Sequence, residues 1–272
     1  MKTALLLAGG GARGIVQAGM LSMFRDMGWD YDMLFGTSVG ALNGALYHAD
    51  EIDPLIELWQ TVKNKDVYNW APWKLFTPDA CFYDTAPLRR NIANRVKFDQ
   101  IRANHRPFYV SSTSLKTWNP VLSDITHYAK DSDMLDTLMM SSAAPIAFPP
   151  VNGSVDGGVI NNFNIATAVE AGCDRLILMS PTPADPRSIN NVFDVMEFML
   201  SAPEFGYLGR EIYFTQRLNS VPGFRKIELI IIQPTRKLGL GLLDFDMNHK
   251  DRKLLIGYGR EIAQLALRGI KP

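Results

Sequence analysis

The sequence predicts an α/β fold, because strand-like runs and segments with the helical spacing of apolar residues follow one another along the chain. Its 272 residues suit one α/β domain with an elaboration better than two independent units. Hydrophobic residues make up 47% and charged residues 21%, as in ordinary globular proteins. No internal repeat or low-complexity tract interrupts the pattern.

The first half of the chain contains two strand–turn–helix units. Each unit begins with a short apolar run, as buried strands do, and continues through glycines into a segment with helical spacing. Residues 69–82 are rich in proline and aromatic residues, so we expect an irregular segment there. The expected elements are strands at 3–8 and 31–35 and helices at 15–27, from 41, at 52–62 and at 85–96.

The second half continues the alternation toward the C-terminus. A polar turn at Asn119-Pro120 is expected to join two neighbouring strands, and Asp131 or Ser132 caps the following helix. The expected elements are strands at 108–111, 121–128, 175–179 and 227–232, a loop at 181–186, and helices from 131, to 171, through about 218 and from about 249 to 267.

The pentapeptide Gly36-Thr37-Ser38-Val39-Gly40 lies between the second strand and its helix. Two glycines allow a sharp turn without a Cβ clash, so the Ser38 hydroxyl can stand exposed above the sheet as a nucleophile. The alternative interpretation is a plain tight turn, because short glycine patterns recur by chance.

A second glycine-rich loop, Gly9-Gly10-Gly11-Ala12-Arg13-Gly14, follows the first strand and opens the first helix. Its N–H groups suit either a dinucleotide phosphate or the oxyanion of an attacked carbonyl. Dinucleotide binding requires an acidic residue at the end of the second strand, where Ser38 lies instead. The oxyanion hole is therefore favoured, and a plain turn would explain fewer glycines.

A nucleophilic serine usually relies on a histidine, and none of the four in this chain lies in a suitable place. The helix carries His48 away from Ser38. His105 precedes a strand, His127 lies within one, and His249 sits in a polar run. Asp156, followed by Gly157 and Gly158, is the better candidate for the base, although most Asp-Gly pairs are turns. A desolvated aspartate in contact with the serine hydroxyl could accept its proton.

Together the three motifs, in this order, resemble those of the patatin-like phospholipases. The segment Ser141-Ser142-Ala143-Ala144-Pro145, which continues to Phe148-Pro149-Pro150, strengthens the resemblance. The similarity covers roughly residues 3–180 and implies a three-layer α/β/α sandwich around a mostly parallel sheet. We expect a single domain over residues 1–272, with the motifs in a core at about 3–180 and a C-terminal elaboration at about 190–272.

The resemblance implies lipid acyl hydrolysis by a serine–aspartate dyad, without a metal or cofactor. Ser38 would be the nucleophile, Asp156 its sole catalytic partner, and N–H groups of the glycine-rich loop the oxyanion hole. Arg13 could meet a phosphate or carboxylate, but we favour an internal role that anchors the loop. Trp70, Trp73, Phe76 and their aromatic neighbours would suit a lipid surface if exposed, or would pack a cap onto the core.

Charge and targeting signals restrict the partners further. Twenty-eight basic residues balance 28 acidic ones, so no nucleic-acid partner is indicated. Cys81 and Cys173 are too few for a disulfide framework and lack metal-ligand spacing. The first apolar run is too short for a signal peptide, so we expect a cytoplasmic protein, peripheral at the membrane through transient contact.

Three alternatives to a lipid acyl hydrolase remain open at this stage. One is a short-chain carboxylesterase or thioesterase with the same dyad. Another is a nucleotide-binding oxidoreductase, which the missing acidic residue disfavours. The third is a non-enzymatic lipid-binding regulatory protein, which intact Ser38 and Asp156 make less attractive.

Overall fold

The computed structural model describes residues 1–183 and 192–272, and its mixed α/β architecture confirms the predicted fold class. The strands are β1 (Thr3–Leu7), β2 (Met33–Thr37), β3 (Asn69–Trp70), β4 (Tyr83–Asp84), β5 (Phe108–Ser114), β6 (Pro120–Asp124), β7 (Ser154–Asp156), β8 (Arg175–Met179) and β9 (Glu228–Ile232). The helices are α1 (Gly14–Asp26), α2 (Val39–His48), α3 (Ile52–Thr61), α4 (Asn64–Val67), α5 (Ala86–Arg95), α6 (Phe98–Ala103), α7 (Asp131–Ser141), α8 (Ile165–Glu170), α9 (Val192–Asn219) and α10 (His249–Leu267).

The central sheet has the strand order β6-β5-β2-β1-β8-β9, and β5, β2, β1, β8 and β9 run parallel. Only edge strand β6 and the short β7 run antiparallel to the β5 strand that they pair with. Parallel strands need helical crossovers, which explains the alternation in the sequence. The carboxyl ends of β1, β2 and β8 therefore meet at one edge, where ligands bind in such sheets.

Alternate side chains of β1 enter two separate apolar cores. Leu5 and Leu7 pack in the core that contains residues of α1, α2 and α10. Ala4 and Leu6 pack in the other, with residues of α8 and α9. Because both faces of the strand are buried, it is a continuous apolar run rather than an alternating one. The result is the predicted three-layer arrangement.

One edge of β5 carries two different strands in succession. Along its first half β5 pairs with β2, as far as Thr37 opposite Ser111. From the next residue it pairs with β7, and Asp156 lies opposite Ser112. Since Ser38 follows Thr37 directly, this register brings the serine and the aspartate to adjacent positions.

Three local predictions are wrong. Neither Asp131 nor Ser132 caps α7, because the helix begins at Asp131 with Lys130 at the N-cap and no side-chain cap hydrogen bond. The strand expected over residues 121–128 ends at Asp124, because the Asp124 carboxylate accepts the N–H of Thr126 at 3.1 Å and starts a 3-10 turn. Residues 69–82 are not wholly irregular, because β3 pairs with β4 in a small antiparallel hairpin. The last three residues of the loop predicted at 181–186 lie outside the described residues.

The described helices include none that is long and apolar enough to cross a membrane.

Candidate active site

Ser38 occupies a strained turn between β2 and α2. Its backbone has φ 54° and ψ −129°, a conformation that non-glycine residues rarely adopt. Its N–H donates to the Ser141 hydroxyl at 2.8 Å, which ties the turn to the end of α7. A side chain on Gly40 would lie 2.2 Å from the carbonyl oxygen of Leu7, so glycine lets α2 approach β1. Together these contacts stabilise the strained backbone conformation of Ser38.

Asp156 ends β7, and the Ser38 side chain lies close enough to it to affect its pKa. Only 5% of the residue is exposed. Burial raises the pKa of Asp156 to about 6, although the nearby Ser38 hydroxyl and a hydrogen bond from the Gly158 N–H, at 2.8 Å, lower that pKa in part. A carboxylate with a pKa near neutrality is a much stronger base than an ordinary aspartate, and it remains ionised at pH 7.

The glycine-rich loop supplies N–H groups beside Ser38. A side chain on Gly9 would lie 2.8 Å from the Ser38 Cβ, which measures how closely the loop approaches the serine. The Gly9 N–H donates to Asn162 Oδ1 at 2.7 Å. No described residue accepts a hydrogen bond from the N–H of Gly10 or Gly11, and both residues line the cavity with Ser38.

The last three residues of the glycine-rich loop hold its conformation; they are Ala12, Arg13 and Gly14. The Ala12 N–H donates to the Leu242 carbonyl at 2.7 Å, so it is already engaged. Arg13 is fully buried, and its Nε donates to the Leu240 carbonyl at 3.1 Å. This contact favours the anchoring role over binding of a substrate anion. Gly14 begins α1 where a side chain would collide with Val39.

Residues 240–245, which we call the strap, lie across the glycine-rich loop. The Leu242 carbonyl oxygen would be 2.1 Å from a side chain on Gly11, whose φ of 56° also favours glycine. Tyr68 donates its hydroxyl proton to the Leu243 carbonyl at 2.7 Å. From α10, buried Arg252 donates to the Phe245 carbonyl at 2.7 Å. Main-chain carbonyls thus hold the strap in place.

Asn162 is a site residue to which sequence reasoning assigned no role. It follows the aspartate motif, is buried, and fixes the Gly9 peptide. A methyl group on Gly158 would lie 3.1 Å from Asp156 Oδ1 and 3.5 Å from Asn162 Oδ1. Asn162 therefore joins the glycine-rich loop to the surroundings of Asp156. No sequence signal distinguishes it from its neighbour Asn161.

Replacement of Asn162 by aspartate tests this positioning role. Asn162→Asp keeps an acceptor for the Gly9 N–H but adds a negative charge beside Asp156 and the loop. We expect kcat to fall by about 10²–10³-fold, the scale of a lost oxyanion interaction. The acid limb of the pH–rate profile should also move to higher pH, because a like charge raises the pKa of Asp156.

Asn162→Ala serves as the comparison for the charge effect. It removes the acceptor without adding charge, so kcat should fall while the acid limb stays in place. Near-normal kcat with an unmoved profile in Asn162→Asp would contradict the role. Kinetics over pH 4–9 with a soluble ester provide both readouts.

A buried polar chain fixes the strand end that precedes the loop. The Trp59 indole donates to Asn43 at 2.8 Å, and Asn43 donates to Gln17 at 3.0 Å. Gln17 in turn donates to the carbonyls of Ala8 at 3.0 Å and Met179 at 2.8 Å. Buried networks in which the members are hydrogen-bonded in this way restrict their surroundings to one arrangement.

All four histidines are described, and none lines the cavity that holds Ser38. His48 is buried against the Tyr31 hydroxyl, with 3.0 Å between the oxygen and Nδ1, and desolvation lowers its pKa to about 4. His105, His127 and His249 are exposed. The arrangement around Ser38 therefore offers Asp156 as the adjacent base.

A largely apolar cavity leads away from Ser38 between the helices. Its empty space, counted together with its opening to solvent, is about 1280 Å³. The polar side chains in its lining belong to Ser38, Asn43, Asn91, Arg95, Ser142, Asp156 and Asn162. The apolar walls come from α2, α3, α5, the segment before β7 and the strap, and include Leu42, Leu46, Leu58, Trp59, Leu88, Ile92, Phe148, Leu242, Leu243 and Phe245.

Within the two described segments, no group of three or more histidine, cysteine, aspartate or glutamate side chains has a geometry that could hold a metal ion.

A family model for patatin-like phospholipases matches residues 5–169, which contain all three motifs. Lysophospholipase nte1 of Aspergillus terreus is 28% identical over 181 residues, covering 62% of this chain and 11% of that protein. Patatin-like phospholipase domain-containing protein 7 of Rattus norvegicus is 26% identical over 197 residues, covering 71% of this chain and 14% of that protein. The chain thus corresponds to a small part of these curated relatives.

Among solved structures, VipD from Legionella pneumophila is similar in fold. The superposition has a TM-score of 0.52 and 12% sequence identity, and it covers 98% of this chain and 66% of that chain. The structural match extends through the C-terminal residues, beyond the segment that the family model covers.

Proposed function

The chain belongs to the patatin-like phospholipase family, and from this membership and the site geometry we propose that it hydrolyses acyl esters of lipids through Ser38 and Asp156. The observation that carries the proposal is the position of the Ser38 side chain beside the buried Asp156 carboxylate, at the head of one cavity. No histidine lies in the cavity that holds them. The aspartate must then accept the serine proton directly.

Acylation begins when Ser38 Oγ attacks the ester carbonyl carbon while its proton passes to Asp156. The negative charge that develops on the carbonyl oxygen is stabilised by the N–H groups of Gly10 and Gly11, which no described residue engages. Ala12 cannot contribute its N–H, because the strap already accepts it. Collapse of the intermediate breaks the bond to the alcohol, which leaves with the proton held by Asp156, and acyl-Ser38 remains.

In deacylation, water replaces Ser38 as the nucleophile. Asp156 accepts a proton from the water as its oxygen attacks the acyl carbonyl, and the same N–H groups stabilise the charge. The fatty acid leaves, and the proton returns to Ser38 Oγ. One base with a pKa raised to about 6 serves both steps.

The cavity supports lipids with a long acyl chain as the substrates. Its walls are apolar over most of their area, and the few polar groups at Ser38 would fix the ester. The names of the curated relatives, lysophospholipase and patatin-like phospholipase, support glycerophospholipids or related lipids. A short-chain carboxylesterase or thioesterase with the same dyad is the alternative, but it would leave most of this cavity unfilled.

We also propose that residues 1–272 form one catalytic domain. β9 extends the same sheet beyond β8, and α10 packs against α1 through close glycine contacts. A side chain on Gly259 of α10 would lie 2.0 Å from the Val16 carbonyl. The strap connects the C-terminal elaboration to the glycine-rich loop. The lipid substrate also implies transient contact with a membrane surface.

A matched substrate series tests the function. We expect release of fatty acid from phosphatidylcholine or lysophosphatidylcholine, and a rise in kcat/KM with chain length among monomeric p-nitrophenyl esters. Intact-mass spectrometry after rapid acid quench should detect the acyl adduct on the peptide that contains Ser38. Hydrolysis of acetyl and butyryl esters alone would favour the short-chain alternative. No hydrolysis of any ester would contradict the proposal.

A further inference from the structure

The hairpin of residues 69–84, which we call the cap hairpin, exposes several large aromatic side chains. Trp70 is 54%, Trp73 64% and Phe76 92% exposed. Ile146, from the segment before β7, is 41% exposed beside them. Single exposed apolar residues are ordinary, but several large ones in one short segment indicate an interaction surface.

The exposed surface is held by main-chain contacts. The Ile146 carbonyl accepts the Phe82 N–H at 2.9 Å, and the Ala147 carbonyl accepts the Tyr83 N–H at 3.0 Å. Ile146 has a φ of 70°, which is strained for a β-branched residue. Trp70 also stacks on Phe82, with 5.8 Å between ring centroids and 8° between planes. These contacts hold the cap hairpin against the segment that contains Ile146, while the large apolar side chains of both stay exposed.

The charges of the cap hairpin are paired within it. Its charged residues are one lysine and two aspartates. Lys74 Nζ lies 3.0 Å from Asp79 and 3.6 Å from Asp84. Anionic membranes attract clusters of lysine and arginine, and the hairpin has none. Its surface is instead complementary to an uncharged or zwitterionic lipid interface, where tryptophan is enriched.

Aromatic contacts connect this surface to the cavity. Phe148 lines the cavity, and its ring centroid lies 6.3 Å from that of Tyr83. Tyr83 in turn contacts Trp70 at 5.3 Å. A lipid held at the cap hairpin would therefore be next to the apolar wall of the cavity that leads to Ser38.

We propose that the cap hairpin, together with Ile146, docks the protein on a zwitterionic lipid surface by inserting Trp73 and Phe76 among the lipids. This inference rests on the proposed function for its biological purpose, because docking would bring lipid esters to the cavity. The docking itself requires neither Ser38 nor Asp156.

Flotation with phosphatidylcholine vesicles tests the proposal. We compare the full chain with Trp73→Ala/Phe76→Ala and with a matched control, Leu254→Ala/Leu265→Ala, whose side chains on α10 are 58% and 60% exposed. The wild type and the control should bind equally, at 50 mM and at 500 mM salt. The cap variant should lose at least about tenfold in partitioning, from the apolar area it no longer buries.

Hydrolysis separates docking from catalysis. The cap variant should keep its kcat/KM on a monomeric p-nitrophenyl ester but lose activity on vesicles. Wild-type protein that floats but hydrolyses no ester would overturn the proposed function and leave docking intact. Docking fails if the wild type does not bind phosphatidylcholine, binds only anionic vesicles at low salt, or loses binding equally in both variants. It also fails if the cap variant converts a dimer to a monomer, because the surface would then cover a second copy.

Discussion

Ser38→Ala should lower kcat/KM for acyl esters by about 10⁴-fold or more, because no other group can form the covalent intermediate. The residual rate would come from the oxyanion donors and the apolar cavity. Alanine at this position must adopt the φ of 54° that Ser38 has, so we expect a small loss of stability as well. Initial rates, together with labelling by a fluorophosphonate probe, measure the effect.

Ser132→Ala is the control for Ser38→Ala. Ser132 is an exposed residue of α7 that hydrogen-bonds to Asp133, so its replacement should change neither labelling nor rate. Vesicle binding by Ser38→Ala should equal that of the wild type. Retention of even a tenth of the activity, or an adduct mapped to another residue, would exclude Ser38 as the nucleophile.

Asp156→Asn should lower kcat by about 10⁴-fold and stabilise the protein at neutral pH. Asparagine cannot accept the serine proton, which accounts for the loss of activity. Asp156 has a pKa raised from 3.8 to about 6 by burial, so the ionised side chain costs about 3 kcal/mol of folding free energy at pH 7. The neutral amide does not carry that cost.

The sign of the pH dependence follows from the raised pKa. The protonated carboxyl stabilises the wild type fully below about pH 4, and that contribution is lost as the pH rises through about 6. The stability advantage of Asp156→Asn should therefore be absent at pH 4 and complete above pH 7. Wild-type kcat/KM should increase over the same range, because only the ionised aspartate is a base.

Urea unfolding and soluble-ester kinetics from pH 4 to 9 check both parts of this prediction. Asp124→Asn, a change at a partly exposed aspartate at the end of β6, serves as a control for lost charge. If Asp156→Asn were destabilised at every pH, burial could not be the cause of the raised pKa. If it kept most of its activity, Asp156 would not be the base.

The sequence singles out the two residues of the proposed dyad because both lie in local motifs. A strand, a glycine pair and a serine predict the strained turn at Ser38, and the lack of a suitable histidine directed attention to Asp156. The sequence does not predict how Ser38 and Asp156 come together, because β7 has only three residues and shows no periodicity of apolar residues. Its place beyond Thr37 on β5 is a matter of register between distant segments.

Other parts of the site depend on contacts across long separations. Asn162 is 153 residues from Gly9, and Leu240 is 227 residues from Arg13. Neither contact involves a pattern of residue types, since the partners are a peptide N–H and a carbonyl. The cap hairpin escaped prediction for another reason: two-residue strands are too short to show alternation.

The strap forms hydrogen bonds with both the glycine-rich loop and α10. Arg252 of α10 holds the Phe245 carbonyl, while Leu242 holds the Ala12 N–H. We expect a transition-state analogue that orders the glycine-rich loop to slow hydrogen exchange in α10 as well, and linkage makes such a coupling reciprocal. A partner that binds α10 would, by the same reciprocity, alter affinity for the analogue. In this family member, main-chain carbonyls of the strap thus link the glycine-rich loop to the C-terminal helix.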